Sequence, residues 1–181
     1  MRVLLRLCLV AVLLVVSAAL ARAGGFAGVE GMTATVMQEH QSSFSGLALR
    51  ARFSSGRIVA GFELLPLIEY WRTSTTVDAP DITVSRKDAT LGVAARYRFA
   101  GSGWRPYVGG GLGVHFLSSD VNATALGLGD EHDSVTRGGL AALAGVADPL
   151  SYHVENFFEL EYHHLPETSQ LKINMGIGWG P

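Results

Sequence analysis

The sequence predicts an all-β protein: a single antiparallel up-and-down transmembrane β-barrel of about eight strands. Three observations carry the prediction. Short segments in which apolar residues alternate with polar or small ones recur between residues 24 and 179, which is the period of a half-buried strand. They number eight, and the links between them alternate between short and long, as in barrels whose two ends face different compartments. No run of about 18 apolar residues follows Ala23, so a mature chain that enters a membrane does so with strands.

The first residues read as an address rather than as structure. Arg2 and Arg6 precede an apolar stretch over residues 7–20, and the small-residue triplet Ala21-Arg22-Ala23 follows. That is the order of a secretory signal peptide, so the expectation is cleavage after Ala23 and one domain over residues 24–181. Loss of Arg2, Arg6 and Arg22 takes the basic residues from 14 to 11 against 16 acidic ones. The resulting net charge of about −5 speaks against nucleic acid as a partner. Cys8, the single cysteine, lies inside the signal's apolar core, so neither a disulfide nor a lipid-modified cysteine is expected in the mature chain.

Taken in order, the first run is residues 28–37. Residues 44–53 follow, with Leu47, Leu49, Ala51 and Phe53 on one face and Ala48, Arg50 and Arg52 on the other. After the run at 58–72, residues 90–99 set Leu91, Val93, Ala95, Tyr97 and Phe99 against Ala94, Arg96 and Arg98. Runs at 105–116 and 135–147 are less tidy. Then Asn156, Phe158, Leu160 and Tyr162 oppose Glu155, Glu159 and Glu161, and Leu171, Ile173, Met175, Ile177 and Trp179 oppose Lys172, Asn174, Gly176 and Gly178. Links at 54–57, 100–104 and 148–153 are tight, 39–43 and 164–169 are of moderate length, and 73–88 and 118–134 are long and polar. Both chain ends fall on the tight-turn side. The triplet of glycines at 109, 111 and 113 has period two with no helical pattern after it, which excludes a nucleotide-binding loop.

Alternation alone does not say which face is inside, because a soluble secreted barrel of lipocalin type shows the same pattern turned inside out. Charge placement favours charges within. A tight turn at 54–57 sets Arg50 beside Gly61 with Glu63 diagonal to it, and pairing across the last hairpin sets Glu161 beside Lys172. An eight-stranded lumen is filled by side chains, and opposite charges must pair there. The expected lumen network is Arg50, Arg52, Glu63, Arg96, Arg98, Glu159, Glu161 and Lys172. Glycines 109, 111 and 113 leave room for Arg96 and Arg98. Tyr70, Trp71, Trp104, Tyr107, Tyr162 and Trp179 lie near strand ends, where barrels in lipid carry aromatic girdles. His115 and Glu69 are expected in the lumen or at its rim.

At residues 104–117 the sequence WRPYVGGGLGVHFL, preceded by Tyr97-Arg98-Phe99 and a Gly-rich turn, resembles the central hairpin of the small OmpA/OmpW-like outer-membrane β-barrel families. The resemblance implies a bacterial outer-membrane location, with outer-membrane lipid, lipopolysaccharide and the outer-membrane assembly machinery as partners. Such chains finish on an aromatic residue, whereas Gly180 and Pro181 follow Trp179 here.

Chemistry is the remaining question. The stretch FELEYHHLP at 158–166 is similar to the His-bearing strand of lipid A deacylases, which would make His163, His164 and Glu161 the residues of a hydrolase. That chemistry needs a serine two residues beyond the histidine, and Leu165 and Pro166 stand at those places. Ser118 or Ser119 from another strand is the substitute to look for. Asp120, Asp130, Glu131, His132 and Asp133 form an acidic loop without the spacing of a Ca²⁺ site, so no metal and no cofactor is expected. The leading expectation is a non-enzymatic outer-membrane barrel with a structural or surface-interaction role through loops 73–88 and 118–134. A conduit for small solutes or apolar ligands is the second, and a lipid A hydrolase the third.

Overall fold

The computed structural model describes residues 25–38, 43–54, 59–78, 81–101, 103–122, 131–166 and 168–181; the expected signal peptide over residues 1–23 and its cleavage site lie outside them. The described residues form eight strands: β1 Gly25–Gln38, β2 Phe44–Ser54, β3 Phe62–Asp78, β4 Asp81–Arg98, β5 Arg105–Asn122, β6 Glu131–Pro149, β7 Val154–Leu165 and β8 Thr168–Trp179. Each pairs antiparallel with its neighbour in sequence, and β8 returns to β1, where Val29 faces Trp179 and Gln38 faces Gln170. The sheet closes on itself, so where all eight strands pair the wall has no free edge.

The two faces of the wall are chemically opposite. Outward lie Leu47 and Leu49, Ile68, Val108 and Leu112, Leu140, Phe158 and Leu160, and Met175 and Ile177, all exposed. Inward lie buried Glu30, Arg50, Arg96, Glu159, Glu161 and Lys172. Period two in the chain therefore sorts charges to the inside and hydrocarbon to the outside, the reverse of a soluble barrel. A soluble chain rarely leaves a continuous apolar belt in contact with water.

Two backbone details make the wall possible. The register of β1 on β2 shifts between Phe26 and Gly28, and Gly28 sits at φ 133°, where a Cβ would collide with the Trp179 carbonyl oxygen. This bulge needs glycine. At Gly109, opposite Arg96 in the ladder, a Cβ would lie 2.9 Å from the Arg96 Cβ, so the missing side chain gives the arginine its space.

Three expectations about connections are corrected. The link expected at 54–57 is longer, since β3 begins only at Phe62. The register then sets Arg50 opposite Leu67 and Ser54 opposite Glu63, not Arg50 beside Gly61. The stretches 73–88 and 118–134, read as loops, are strand at their described residues: β3 and β4 stay paired out to Asp78 and Asp81, and β5 and β6 to Val121 and Glu131. Their polarity suggested loops, but Thr73, Thr75, Thr76 and Val77, with Ile82, Thr83 and Val84, are β-branched residues that suit a strand. By contrast, the pairing of β2 with β3 reaches only Gly46–Trp71, and that of β6 with β7 only Leu140–His164. Strands β3 to β6 thus rise as a four-stranded sheet on one side of the rim.

Candidate functional site

The lumen is the place where the chain concentrates its polar chemistry. Near the tight-turn end, Arg96 on β4 donates through Nε to Glu63 Oε2 at 2.7 Å and reaches Glu30 on β1 with its terminal nitrogens. Arg98, two residues on and therefore on the same face, donates to Glu155 Oε2 at 2.6 Å. Arg52 also bonds Glu155, and Arg105 meets it at 3.3 Å. One level up, Arg50 spans the barrel and holds Glu159 with both terminal nitrogens, at 3.0 and 2.7 Å, and Glu161 at 3.1 Å. Asn174 donates to Glu159 and Glu161 at 3.0 Å each. Lys172 faces Glu161 in the β7–β8 register but its Nζ donates to Glu69 Oε1 at 2.6 Å.

Six cations (Arg50, Arg52, Arg96, Arg98, Arg105 and Lys172) thus stand within 4.0 Å of at least one of six glutamates. Taking such charges from water is costly, and only close, hydrogen-bonded partners offset the cost. The structure brings together all eight residues of the expected network. It adds Glu30, Glu69, Glu155, Arg105 and Asn174. Glu155 shares its parity with Glu159 and Glu161, so the signal was there. Glu30 was hidden, because β1 puts Met32, Ala34 and Val36 inside and Gly31, Thr33 and Thr35 outside, which reverses the usual polarity cue.

Above Arg50 the chemistry changes to histidine. His163 Nε2 lies 2.8 Å from Glu161 Oε1, its Nδ1 lies 3.4 Å from His115 Nε2, and His115 Nδ1 lies 2.8 Å from Asp88 Oδ2. Linking all three contacts by hydrogen bonds takes three N–H protons, one more than two neutral imidazoles carry. With both carboxylates ionised, the chain Asp88–His115–His163–Glu161 is complete only when one ring is doubly protonated. Both histidines are buried.

This arrangement bears on hydrolysis. Thr90 Oγ1 approaches His115 at 2.9 Å, but on Nδ1, the same nitrogen that Asp88 holds. A nucleophile and its orienting carboxylate must sit on opposite nitrogens of the ring. His164 lies on the outward face opposite Ser169, whose hydroxyl accepts a hydrogen bond from Tyr162 at 3.0 Å. The structure therefore brings His163 and Glu161 together and sets His164 on the other side of the wall from both. Ser118 and Ser119 lie higher on β5, opposite Ser134 and Asp133.

The aromatics divide. Tyr70, Trp104, Tyr162 and Trp179 are exposed on the outward side, but the expectation for Trp71 and Tyr107 is corrected, because both are buried inside. Adjacent strand residues point to opposite faces, so Tyr70 and Trp71 cannot share a girdle. Trp71 packs on Phe44 with ring centroids 4.2 Å apart. Tyr107 lies under the Arg96 guanidinium, 4.6 Å from ring centroid to Cζ, and fills the space left by Gly145, where a Cβ would meet its ring at 2.5 Å.

Of the acidic loop, Asp120 and His132 contact each other on the outside of the raised sheet, and Asp120 also accepts from Lys87 at 2.9 Å. Asp130 lies outside the described residues. Among the described residues no group of three or more histidine, cysteine or acidic side chains converges as metal ligands do.

The fold recurs in solved structures. Neisserial surface protein A is similar to this chain with a TM-score of 0.63 at 16% identity, over 84% of this chain and 96% of that one. Ail, the attachment invasion locus protein of Yersinia pestis, in complex with the heparin analogue sucrose octasulfate, has a TM-score of 0.59 at 14% identity, over 84% and 98% of the two chains. A major outer membrane protein from Thermus thermophilus has a TM-score of 0.61 at 11% identity, over 84% and 99%. No family model and no curated protein matches the sequence. At these identities the likeness is one of fold: the eight-stranded up-and-down barrel of small outer-membrane proteins, as the OmpA/OmpW-like resemblance implied.

Proposed function

We propose that this chain is a non-enzymatic outer-membrane barrel that presents its raised β3–β6 sheet to the exterior for surface interaction. The observation that carries the reading is the pairing of an outward apolar belt with a lumen closed by paired charge. Along β8 the belt runs from Leu171 to Trp179, about 26 Å of strand at 3.3 Å per residue. Its nine residues fall within the length of about 9 to 11 residues that a tilted strand needs to cross a bilayer. The tight turns then face the periplasm and the raised sheet faces outward.

The raised sheet is surface beyond what a membrane anchor needs, carried on a rigid scaffold. Above the rim, β3 and β6 are the two borders of that sheet, and sheet borders are where extended segments of other proteins pair. Two fold neighbours, a surface protein and an attachment protein by name, agree with this reading. The conduit alternative is disfavoured by Arg50, which crosses the lumen to Glu159 and Glu161.

Fractionation tests the location. The protein is expected in the outer-membrane fraction after a carbonate wash, with heat-modifiable mobility on a gel; release into the soluble fraction would refute it. Planar-bilayer recording is expected to give no steady conductance, and a regular open channel would revive the conduit.

A further inference from the structure

We propose that the mouth of the barrel, at the foot of the raised sheet, binds a sugar bearing sulfate or phosphate esters. The inference deepens the surface-interaction reading and rests on it for the side from which the ligand arrives. A cavity of about 360 Å³ opens there, lined by Gln38, Trp71, Arg86, Ser119, Asp133 and Arg137 among others. That volume lies within the range of small-molecule sites, about 300 to 1,000 Å³. These six have the parity of the lumen face, while Lys87 and Ser118, which also line the cavity, have the outward parity, so the cavity opens at the rim, where the wall meets solvent. Its occupant enters along the barrel axis, from solvent.

Charge selects the ligand class. Deeper in the lumen, Arg50, Arg52, Arg96 and Arg98 each have a glutamate within 4.0 Å. Arg86 is exposed at the mouth, and among the described residues no carboxylate pairs with it, while its neighbour Lys87 is held by Asp120 at 2.9 Å. Arg137, on β6 and separated from β4 only by β5, also lines the cavity and gives one N–H to the Pro166 carbonyl. Guanidinium groups recognise sulfate and phosphate esters through paired N–H donors.

Asp133 narrows the class further. A carboxylate beside the arginines repels a bare anion but accepts hydrogen bonds from sugar hydroxyls, so the ester must come with donors attached. The floor supplies more unused capacity. Among the described residues the buried Trp71 indole N–H, in the cavity lining, has no partner. Ser119 and the bonded pair Gln38–Thr168, at 2.8 Å, complete a polar collar.

The test uses the full chain folded in detergent micelles, titrated with a sulfated disaccharide, its phosphorylated counterpart, the neutral disaccharide and inorganic phosphate. Quenching of tryptophan emission and calorimetry give the readout. Both esters are expected to bind, the neutral sugar and phosphate at least about tenfold more weakly, and Arg86→Gln is expected to weaken the esters by about tenfold, the size of one lost charge-assisted contact. The variant must keep heat-modifiable mobility; Arg86→Lys, which keeps the charge without the fork, is expected to recover part of the affinity. Equal binding by Arg86→Gln, or phosphate binding as well as the esters do, would overturn the proposal. Displacement of the disaccharide by lipopolysaccharide would overturn entry from solvent. Labelling of Ser134→Cys on intact cells separates the two readings: an unlabelled cysteine sinks the outward display, whereas failed titrations with a labelled cysteine sink the site alone.

Discussion

The lower lumen and the mouth are built from the same wall and differ in how charge is closed. Below the histidines, Arg50, Arg96 and Lys172 are buried and each has a glutamate partner. At the mouth, among the described residues, Arg86 has none and the Trp71 indole N–H is unbonded, and Asp133 is exposed. Even in the lower lumen the fit is not complete, since Nε of Arg50, Arg52 and Arg98 and the Tyr107 hydroxyl lack partners among the described residues. What closes there is charge against charge. The contrast teaches that the same side-chain type seals a barrel where a carboxylate faces it and offers a binding group where none does.

The comparison breaks most sharply at Arg96. Replacing it with alanine leaves Glu30 and Glu63 in the lumen without their main cation. Losing one partner of a buried pair costs about 3 to 5 kcal/mol, and folding into detergent, followed in urea, is expected to show a loss of that order. The same change at Arg86 is expected to leave stability within about 0.5 kcal/mol, as for surface positions. Similar losses at the two sites would erase the distinction.

A smaller effect is expected at the boundary between the two regions. Substituting His115 with Phe keeps a flat ring but takes the ring nitrogens from Asp88, Thr90 and His163, leaving Asp88 and Thr90 only each other among these contacts. The cost of leaving a buried polar group unsatisfied is about 1 to 3 kcal/mol. If His115→Phe unfolds the barrel no more readily than wild type in urea, the histidine chain is not a structural link between seal and mouth.

The smallest effect belongs to the outside of the raised sheet. There the Lys87 ammonium first, and then the His132 imidazole, hold the exposed Asp120 carboxyl below its usual range. A carboxylate whose folded pKa is depressed adds stability above its unfolded value of about 3.9, and that contribution is lost as the pH falls through the folded value. The stability gap between wild type and Asp120→Asn is therefore expected to be present at neutral pH, to close in acid, and to shrink in salt. A gap that persists unchanged in acid would mean that Asp120 acts through something other than its charge.

How much of this was legible follows from period and parity. β2, β4, β7 and β8 could be read residue by residue, because each sets a charged face against an apolar one. β1 could not, since its inward face holds Met32, Ala34 and Val36 above Glu30. The extent of β3 to β6 was underread because polar, β-branched segments look like loops until a partner strand is set beside them. Among the site residues, Trp71 and Tyr107 were misplaced by counting nearness to a strand end and ignoring which face they occupy.

The sequence by itself determined the class, the strand number and the sorting of charge to one face, since alternation is a local property of two-residue period. Only the tertiary structure decided who pairs with whom. Arg50 meets Glu159 more than a hundred positions away, His115 meets His163 across the lumen, and Arg86 meets no carboxylate among the described residues. Those outcomes depend on the register of each strand against the next and on closure of β8 onto β1, and closure is a property of the whole ring that no single strand encodes.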